Sequence, residues 1–386
     1  MTSAVRTRED YEREEFERLA SYAVKSAESL GRIAEEAEHE YRTAFQRDRD
    51  RIVHSQAFRR LEYKTQVFIY HEGDHYRNRL THTLEASQIA RTVARALRVN
   101  EELAEAIALA HDLGHTPFGH AGERSLDRLL EKEGGFDHNR QSLRIVDLLE
   151  IHYPGFRGLN LTAETREGIL KHGSDWEHPV PLPAPTPSPS IEAQTTDVSD
   201  EVAYTNHDLD DGLRSGLLTL EMLDEVQLWK SARASVEERL GEAPARVLRA
   251  QTIVALMNHL VTDLIEASGR RLQRAGLDSV AEVRSRSSVL IEFSQQVQRD
   301  KADLKNFLQA NLYSHPRVLQ ASQQGQEILG GLFRAYRGDP RRLPAHVVAR
   351  FAEEGEARAV GDYIAGMTDR FALSEHRRLL DSNELL

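Results

Sequence analysis

The sequence predicts an all-α protein, and three observations point to it. Apolar residues recur at helical spacing, as in Ala86, Ile89, Ala90, Val93 and Leu97, and again in Leu103, Ile107 and His111 at every fourth position. No convincing strand stands out, and no internal repeat returns at a fixed period. Glycine and proline punctuate the helical stretches instead.

In chain order, residues 9–50 read as charged helix rich in Glu, Arg and Ala, ending in the run Arg47 to Arg51 (RDRDR) before Phe58-Arg59-Arg60-Leu61. Gly73 marks a loop, and a helix follows from about Asn78 to Val99. The next helices are expected over 101–112, 121–133, 139–150 and 162–172. Residues 179–189 (PVPLPAPTPSP) form a proline-rich, extended linker within a variable insertion over 173–190. A helix from about Ala193 to Leu209 places Asp200, Tyr204 and Asp208 on one face at i, i+4 and i+8. Residues 220–386 read as helical, with breaks near Gly269, Gly276, Pro316 and Pro340. The expected division is an N-terminal helical segment (1–50), a core (51–215) that contains the proline-rich loop 179–190, and a C-terminal helical region (216–386) packed on that core. The alternative is a separate C-terminal helical domain from about residue 220.

At 386 residues the chain can bury one large core or two smaller ones. Its 40% hydrophobic and 29% charged residues fit a soluble globular protein. A net charge of -12 argues against nucleic-acid binding by broad phosphate neutralisation, so a polyanionic substrate would need a local basic cluster and a metal. The absence of cysteine excludes disulfides and thiolate metal sites. No apolar run approaches the ~18 residues of a membrane span, and the charged N-terminus lacks a signal-peptide core, so a cytoplasmic location is expected.

The run from His111 to His120 (HDLGHTPFGH) carries the chemistry. His111 lies on the apolar stripe of its helix with Asp112 beside it, and both groups lose hydration in a core. A single core histidine is ordinarily satisfied by a hydrogen bond, but Asp112 and the nearby His115 and His120 favour a divalent cation. Two more segments offer polar groups on otherwise apolar faces: Arg79 with His82 at i, i+3, and Asp200 with Tyr204 and Asp208. His82, His111, Asp112 and Asp200 together make a mixed nitrogen and oxygen shell suited to Mg2+ or Mn2+, with Fe2+ also compatible.

With that ligand order, the chain resembles the HD-domain metallohydrolases. Six collinear words narrow the resemblance to their deoxyguanosinetriphosphate triphosphohydrolase-like branch: AFRRLEYKTQVF (57–68), RNRLTHTLEAS (77–87), AHDLGHTPFGHAGE (110–123), FDHNRQSLRI (136–145), SDEVAYTNHDLDDGL (199–213) and DYIAGMTDRFAL (362–373). The resemblance implies an HD-domain helical bundle with additional C-terminal helices, and metal ligands at His82, His111, Asp112 and Asp200. It implies a catalytic His120 oriented by Glu123, with His115 and His138 as further active-site histidines. It implies Arg79 on phosphate, Tyr204 and Asp208 at the deoxyribose, and Gln66 at the 3′-hydroxyl.

The implied reaction splits a deoxynucleoside triphosphate (dNTP) into deoxynucleoside and inorganic triphosphate. It must neutralise a triphosphate, which a metal with Arg79 and Lys64 can do, position a water and protonate a 5′-alkoxide. Members of the family form homo-oligomers, hexamers among them, and some are activated by a dNTP bound away from the active site. Two rivals remain in view. One is another HD phosphohydrolase, a nucleotidase or phosphodiesterase, in which His115, His120 and His138 would ligate a second metal. The other is a catalytically idle nucleotide sensor, which would be expected to lack His120 or Glu123. Arg51, Arg59 and Arg60 read equally well as phosphate ligands and as a solvated helix face, and the words near Tyr313-Ser314-His315 and over Tyr363 to Arg370 look specific to the family, with packing of the C-terminal helices as the alternative.

Overall fold

A computed structural model describes residues 5–66, 77–170, 178, 180–181 and 186–380, and the regular structure in these segments is helical. Among the described residues the only β-type pairings are the isolated bridges Thr65–Asn78 and Ile151–Gly158. No helix among them is long and apolar enough to cross a membrane. Gly73 and most of the proline-rich stretch lie outside the described residues.

The charged N-terminal stretch is not one helix. It forms Arg8–Arg18 and Ala44–Val53, joined by an extended segment with one 3-10 turn, Ser26–Glu28. Side-chain anchors hold that segment. The Glu15 carboxylate accepts from the Ser26 N–H at 2.6 Å and from its hydroxyl at 2.7 Å. Arg32 donates to the Asn160 carbonyl at 2.6 Å and pairs with Asp48, while the Ala34 N–H donates to the Asn160 side chain at 3.0 Å. Helix propensity differs by tenths of a kcal/mol per residue, so these buried polar contacts override it.

Helices Arg79–Leu97, Glu101–Ala110 and Ile191–Arg214 pack on one another and carry the predicted ligands. Their apolar faces share a core with residues far downstream, including Trp229, Leu256, Leu260, Leu304 and Leu312. A second core joins Phe118, Leu126, Leu130 and Phe136 to Leu329, Leu332, Tyr336, Val360 and Ile364. The C-terminal residues therefore bury apolar surface against both halves of the ligand-bearing region.

The expected break at Gly269 does not occur, because Ala245–Ala275 is continuous. One interior glycine costs only about 1 kcal/mol, too little to end a helix whose Leu256, Leu260 and Leu264 are buried. Gly276 does end it, in the left-handed conformation at φ 58°. The expected break near Pro316 occurs: one helical run ends at Tyr313 and Pro316 opens the next, Pro316–Gly338, where the first turn has no use for the missing N–H. The stretch expected as 139–150 is His138–Arg144 followed by a π-helical turn, Ile145–Leu149.

Candidate metal centre and active site

The Glu101–Ala110 helix is capped by Asn100, whose side chain accepts from the Glu102 and Leu103 N–H groups at 3.1 and 3.2 Å. Leu103, Ala104 and Ala106 to Ala110 are all buried, so the helix delivers His111 and Asp112 into the interior. It stops at Ala110, short of the expected 112, and His111 to Gly114 form a turn. Gly114 makes that turn workable: a Cβ there would lie 2.2 Å from the His138 carbonyl and the Ser142 nitrogen. The Ser142 hydroxyl ties the two segments, accepting from the Gly114 N–H at 2.8 Å and donating to the His111 carbonyl at 2.9 Å.

Three helices bring the four predicted ligands together. His82 Nε2 lies 3.0 Å from Asp200 Oδ1 and 3.8 Å from Asp112 Oδ2. His111 Nε2 lies 3.2 Å from Asp112 Oδ1 and 3.4 Å from Asp200 Oδ1. Donor atoms each about 2.1 Å from one ion stand about 3.0 Å apart at neighbouring octahedral positions and about 3.4 Å apart in a tetrahedron. The arrangement therefore fits a divalent cation. The His111 tautomer agrees: Nδ1 sits 2.6 Å from the Ala108 carbonyl, which can only accept, so the proton is on Nδ1 and the Nε2 lone pair faces the carboxylates.

Asp112 is the most heavily engaged of the four. Arg79 Nη1 donates to its Oδ2 at 3.0 Å, and His115 Nε2 approaches Oδ1 at 3.1 Å. Burial opposes its ionisation, but His111, His115 and Arg79 hold the carboxyl well below the usual carboxylate range. Burial and the Arg79 charge in turn hold the His115 imidazole well below its usual range, so it is neutral. Arg79 itself is 2% exposed.

A second cluster lies one step beyond His115. Phe118 takes the left-handed conformation at φ 60° and launches helix Gly119–Leu129, which carries His120 and Glu123. Glu123 serves two imidazoles, with Oε2 at 3.0 Å from His120 Nδ1 and Oε1 at 2.7 Å from His138 Nδ1. The His138 N–H adds a third bond to Oε1 at 3.0 Å. Partial burial works against ionisation here, yet His120 and His138 outweigh it and keep the Glu123 carboxyl far below the ordinary range. Both imidazoles donate from Nδ1 to this carboxylate, which leaves each Nε2 as an acceptor. The His115 and His138 rings stack at 4.1 Å between centroids, linking this cluster to Asp112.

Tyr204 and Asp208 form a third group with Tyr313. The Tyr204 and Tyr313 rings stack at 6.3 Å, and the Tyr313 hydroxyl donates to Asp208. Asp208 is buried, which lifts its carboxyl to about 7 despite those two tyrosines. Gln66 lies beside the start of helix Gly119–Leu129, with its backbone carbonyl 3.4 Å from where a Gly119 Cβ would stand. Lys64, predicted on the phosphate, is buried and bonded to backbone carbonyls. Its ammonium donates to the His115 carbonyl at 2.5 Å and the Ala365 carbonyl at 3.0 Å, and burial with the neighbouring Arg60 and Arg79 charges lowers it to about 7.

The HD domain model matches residues 79–205, and that of the phosphohydrolase-associated domain matches residues 291–378. The chain is 51% identical over 372 residues to a deoxyguanosinetriphosphate triphosphohydrolase-like protein of Azoarcus sp. (strain BH72), covering 95% of this chain and 98% of that one. It is 52% identical to a protein of the same description from Bordetella pertussis, over 94% of this chain and 96% of the other. The corresponding protein of Geobacter metallireducens is 48% identical, over 95% and 96%. The chain belongs to the deoxyguanosinetriphosphate triphosphohydrolase-like family. It is an HD-domain phosphohydrolase of all-α fold.

Within this family framework, four contributing residues went unassigned on the sequence. His207 touches His82, and Glu85 touches His207. His207 stands seven positions after Asp200, two turns along the same face, and that spacing could have revealed it. Tyr313 and Asp369 lie in words that the sequence marks out, but their partners, Asp208 and Phe118, are more than 100 residues away, beyond the reach of local spacing.

Proposed function

We propose that the chain hydrolyses deoxynucleoside triphosphates in one step to the deoxynucleoside and inorganic triphosphate, using a divalent metal held by His82, His111, Asp112 and Asp200. The observation that carries this is the adjacency of a four-ligand centre to two imidazoles oriented by one carboxylate. The overall change adds one water: its oxygen bonds to the α-phosphorus, the bond to the 5′-oxygen breaks, and that oxygen takes a proton. When bound, the cation would offset phosphate charge and polarise a water.

Arg79 supports the same task, since its buried guanidinium borders both Asp112 and the first turn of the His120 helix. His120, through Nε2, is the base for the attacking water, because Glu123 fixes its proton on Nδ1. His115 donates Nε2–H to Asp112, so its Nδ1 can accept from a water but has no proton to give. His138 also gives its Nδ1 proton to Glu123, so it can protonate the leaving 5′-oxygen only in its doubly protonated form, with a second proton on Nε2. Magnesium and manganese suit the ligand set, and iron(II) is compatible.

Product analysis tests the reaction. Incubation with dGTP and dATP is expected to release deoxynucleoside and intact triphosphate, and stepwise diphosphate and monophosphate would overturn the proposal. A second reading, a binuclear HD hydrolase, is favoured by one observation: His115, His120 and Glu123 also lie close enough to hold an ion. Glu123 already spends both oxygens on imidazoles, which argues for one ion per chain. Metal analysis giving two would reverse that preference.

Sugar selection falls to the Tyr204 face. Tyr204 lies one turn beyond Asp200, and Asp208 one turn further, so a sugar next to the centre would run along this helix. Tyr204→Ala is expected to let ATP compete better with dATP. Asp208→Ala is expected to weaken substrates with a 3′-hydroxyl by about ten- to a hundredfold and to spare 2′,3′-dideoxy analogues. An unchanged ribo/deoxy ratio in Tyr204→Ala would place the sugar elsewhere.

A further inference from the structure

We infer that His207 is a positioning residue that fixes the tautomer of the metal ligand His82 through a relay ending at Glu85. The inference rests on the proposed metal role of His82. His82 Nδ1 lies 3.2 Å from His207 Nδ1, and the far nitrogen of His207, Nε2, contacts the Glu85 carboxylate. The rings meet nearly edge-on, 5.2 Å apart at 85°.

Two facing nitrogens at this distance need one proton between them. A carboxylate only accepts, so His207 carries its proton on Nε2 and donates it to Glu85. His207 Nδ1 is then a lone pair, and the shared proton must come from His82 Nδ1. That leaves His82 Nε2 deprotonated toward Asp200 and Asp112, the form a metal ligand requires. The relay is anchored at its outer end. Arg77 Nε lies 3.4 Å from Glu85, and its Nη1 holds Asp210 at 2.8 Å and Asp211 at 3.2 Å. Asp200, His207, Asp210 and Asp211 share one helix, so that helix supplies both a ligand and the brace for another. His111 receives the same service from the Ala108 carbonyl, which is permanent, whereas His82 depends on side chains.

The test measures Mn2+ affinity by calorimetry on metal-stripped protein and the His207 tautomer by 15N-histidine NMR. His207→Leu is expected to weaken Mn2+ binding about 10- to 100-fold, while His207→Gln, whose amide oxygen can accept from His82, should stay close to wild type. Glu85→Ala, at a partly exposed position, is expected to weaken it several-fold and serves if His207→Leu does not fold. Wild-type affinity in His207→Leu or in Glu85→Ala, or an Nδ1–H tautomer at His207, overturns the relay. Asp112→Ala separates the two levels. If it too retains Mn2+, the metal centre itself is misassigned; if it alone loses Mn2+, only the relay fails.

Discussion

Asp112→Ala is expected to lose bound metal and hydrolysis together. Asp112 stands within 3.2 Å of His111, His115 and Arg79, so one truncation removes a ligand, the acceptor for His115 and the counter-charge of Arg79. Breaking a buried ion pair from one side costs about 3–5 kcal/mol, so the variant should also unfold at lower temperature. Asp112→Asn and His111→Ala separate the two effects. Asn keeps the shape and loses the charge, and His111→Ala removes a ligand without exposing Arg79. Metal per chain after dialysis, turnover and thermal midpoint should be measured on all three. Full metal content with full turnover in Asp112→Asn and His111→Ala would remove this pair from the centre.

Glu123→Gln is expected to keep the metal and lose about 10²- to 10⁴-fold in rate, more than His120→Ala, for which about 10²-fold or more is expected. One carboxylate orients two imidazoles, so its loss frees both to rotate and to exchange tautomers. Its depressed titration also shapes the pH profile. A carboxyl depressed in the folded state contributes stability above its unfolded value, near 4.5, and loses it only as pH falls toward the folded value. Between pH 5 and 9 Glu123 is therefore ionised throughout and contributes no acid limb to kcat/KM there, whereas Asp208, lifted to about 7, titrates within that range. Loss of metal in His120→Ala would contradict these roles and favour a binuclear centre.

The candidate ligands were legible because each breaks a local rule. His111 and Asp112 interrupt an apolar stripe, and Asp200, Tyr204 and Asp208 put polar groups at helical spacing on a face that should be apolar. Local spacing could not show where Lys64 goes. A lysine in a basic stretch reads as a phosphate ligand, yet its partners are two carbonyls, one of them about 300 residues away. The 9–50 stretch departs from its helical composition for a related reason. Its composition favours helix, but Glu15, Asp48 and Asn160 capture the backbone and side chains of residues 26–34 from outside. Gly269 does not break its helix, because a residue's conformational freedom matters only where the surrounding packing is weak.

Asp369 accepts from the Phe118 N–H at 3.0 Å and, through its other oxygen, from the Thr65 N–H at 3.0 Å and the Thr65 hydroxyl. It thus braces the left-handed residue that launches the His120 helix from 251 positions downstream. At about 5–20 residues per second, translation needs about 13–50 s to travel from Phe118 to Asp369. Through that interval a nascent chain holds His82, His111, Asp112, His120 and Glu123 without the acceptor that ties Phe118 to Thr65. The earliest-made histidines of the candidate site thus wait on one of the latest-made aspartates, and a growing chain lacks that brace until nearly the whole protein has been made.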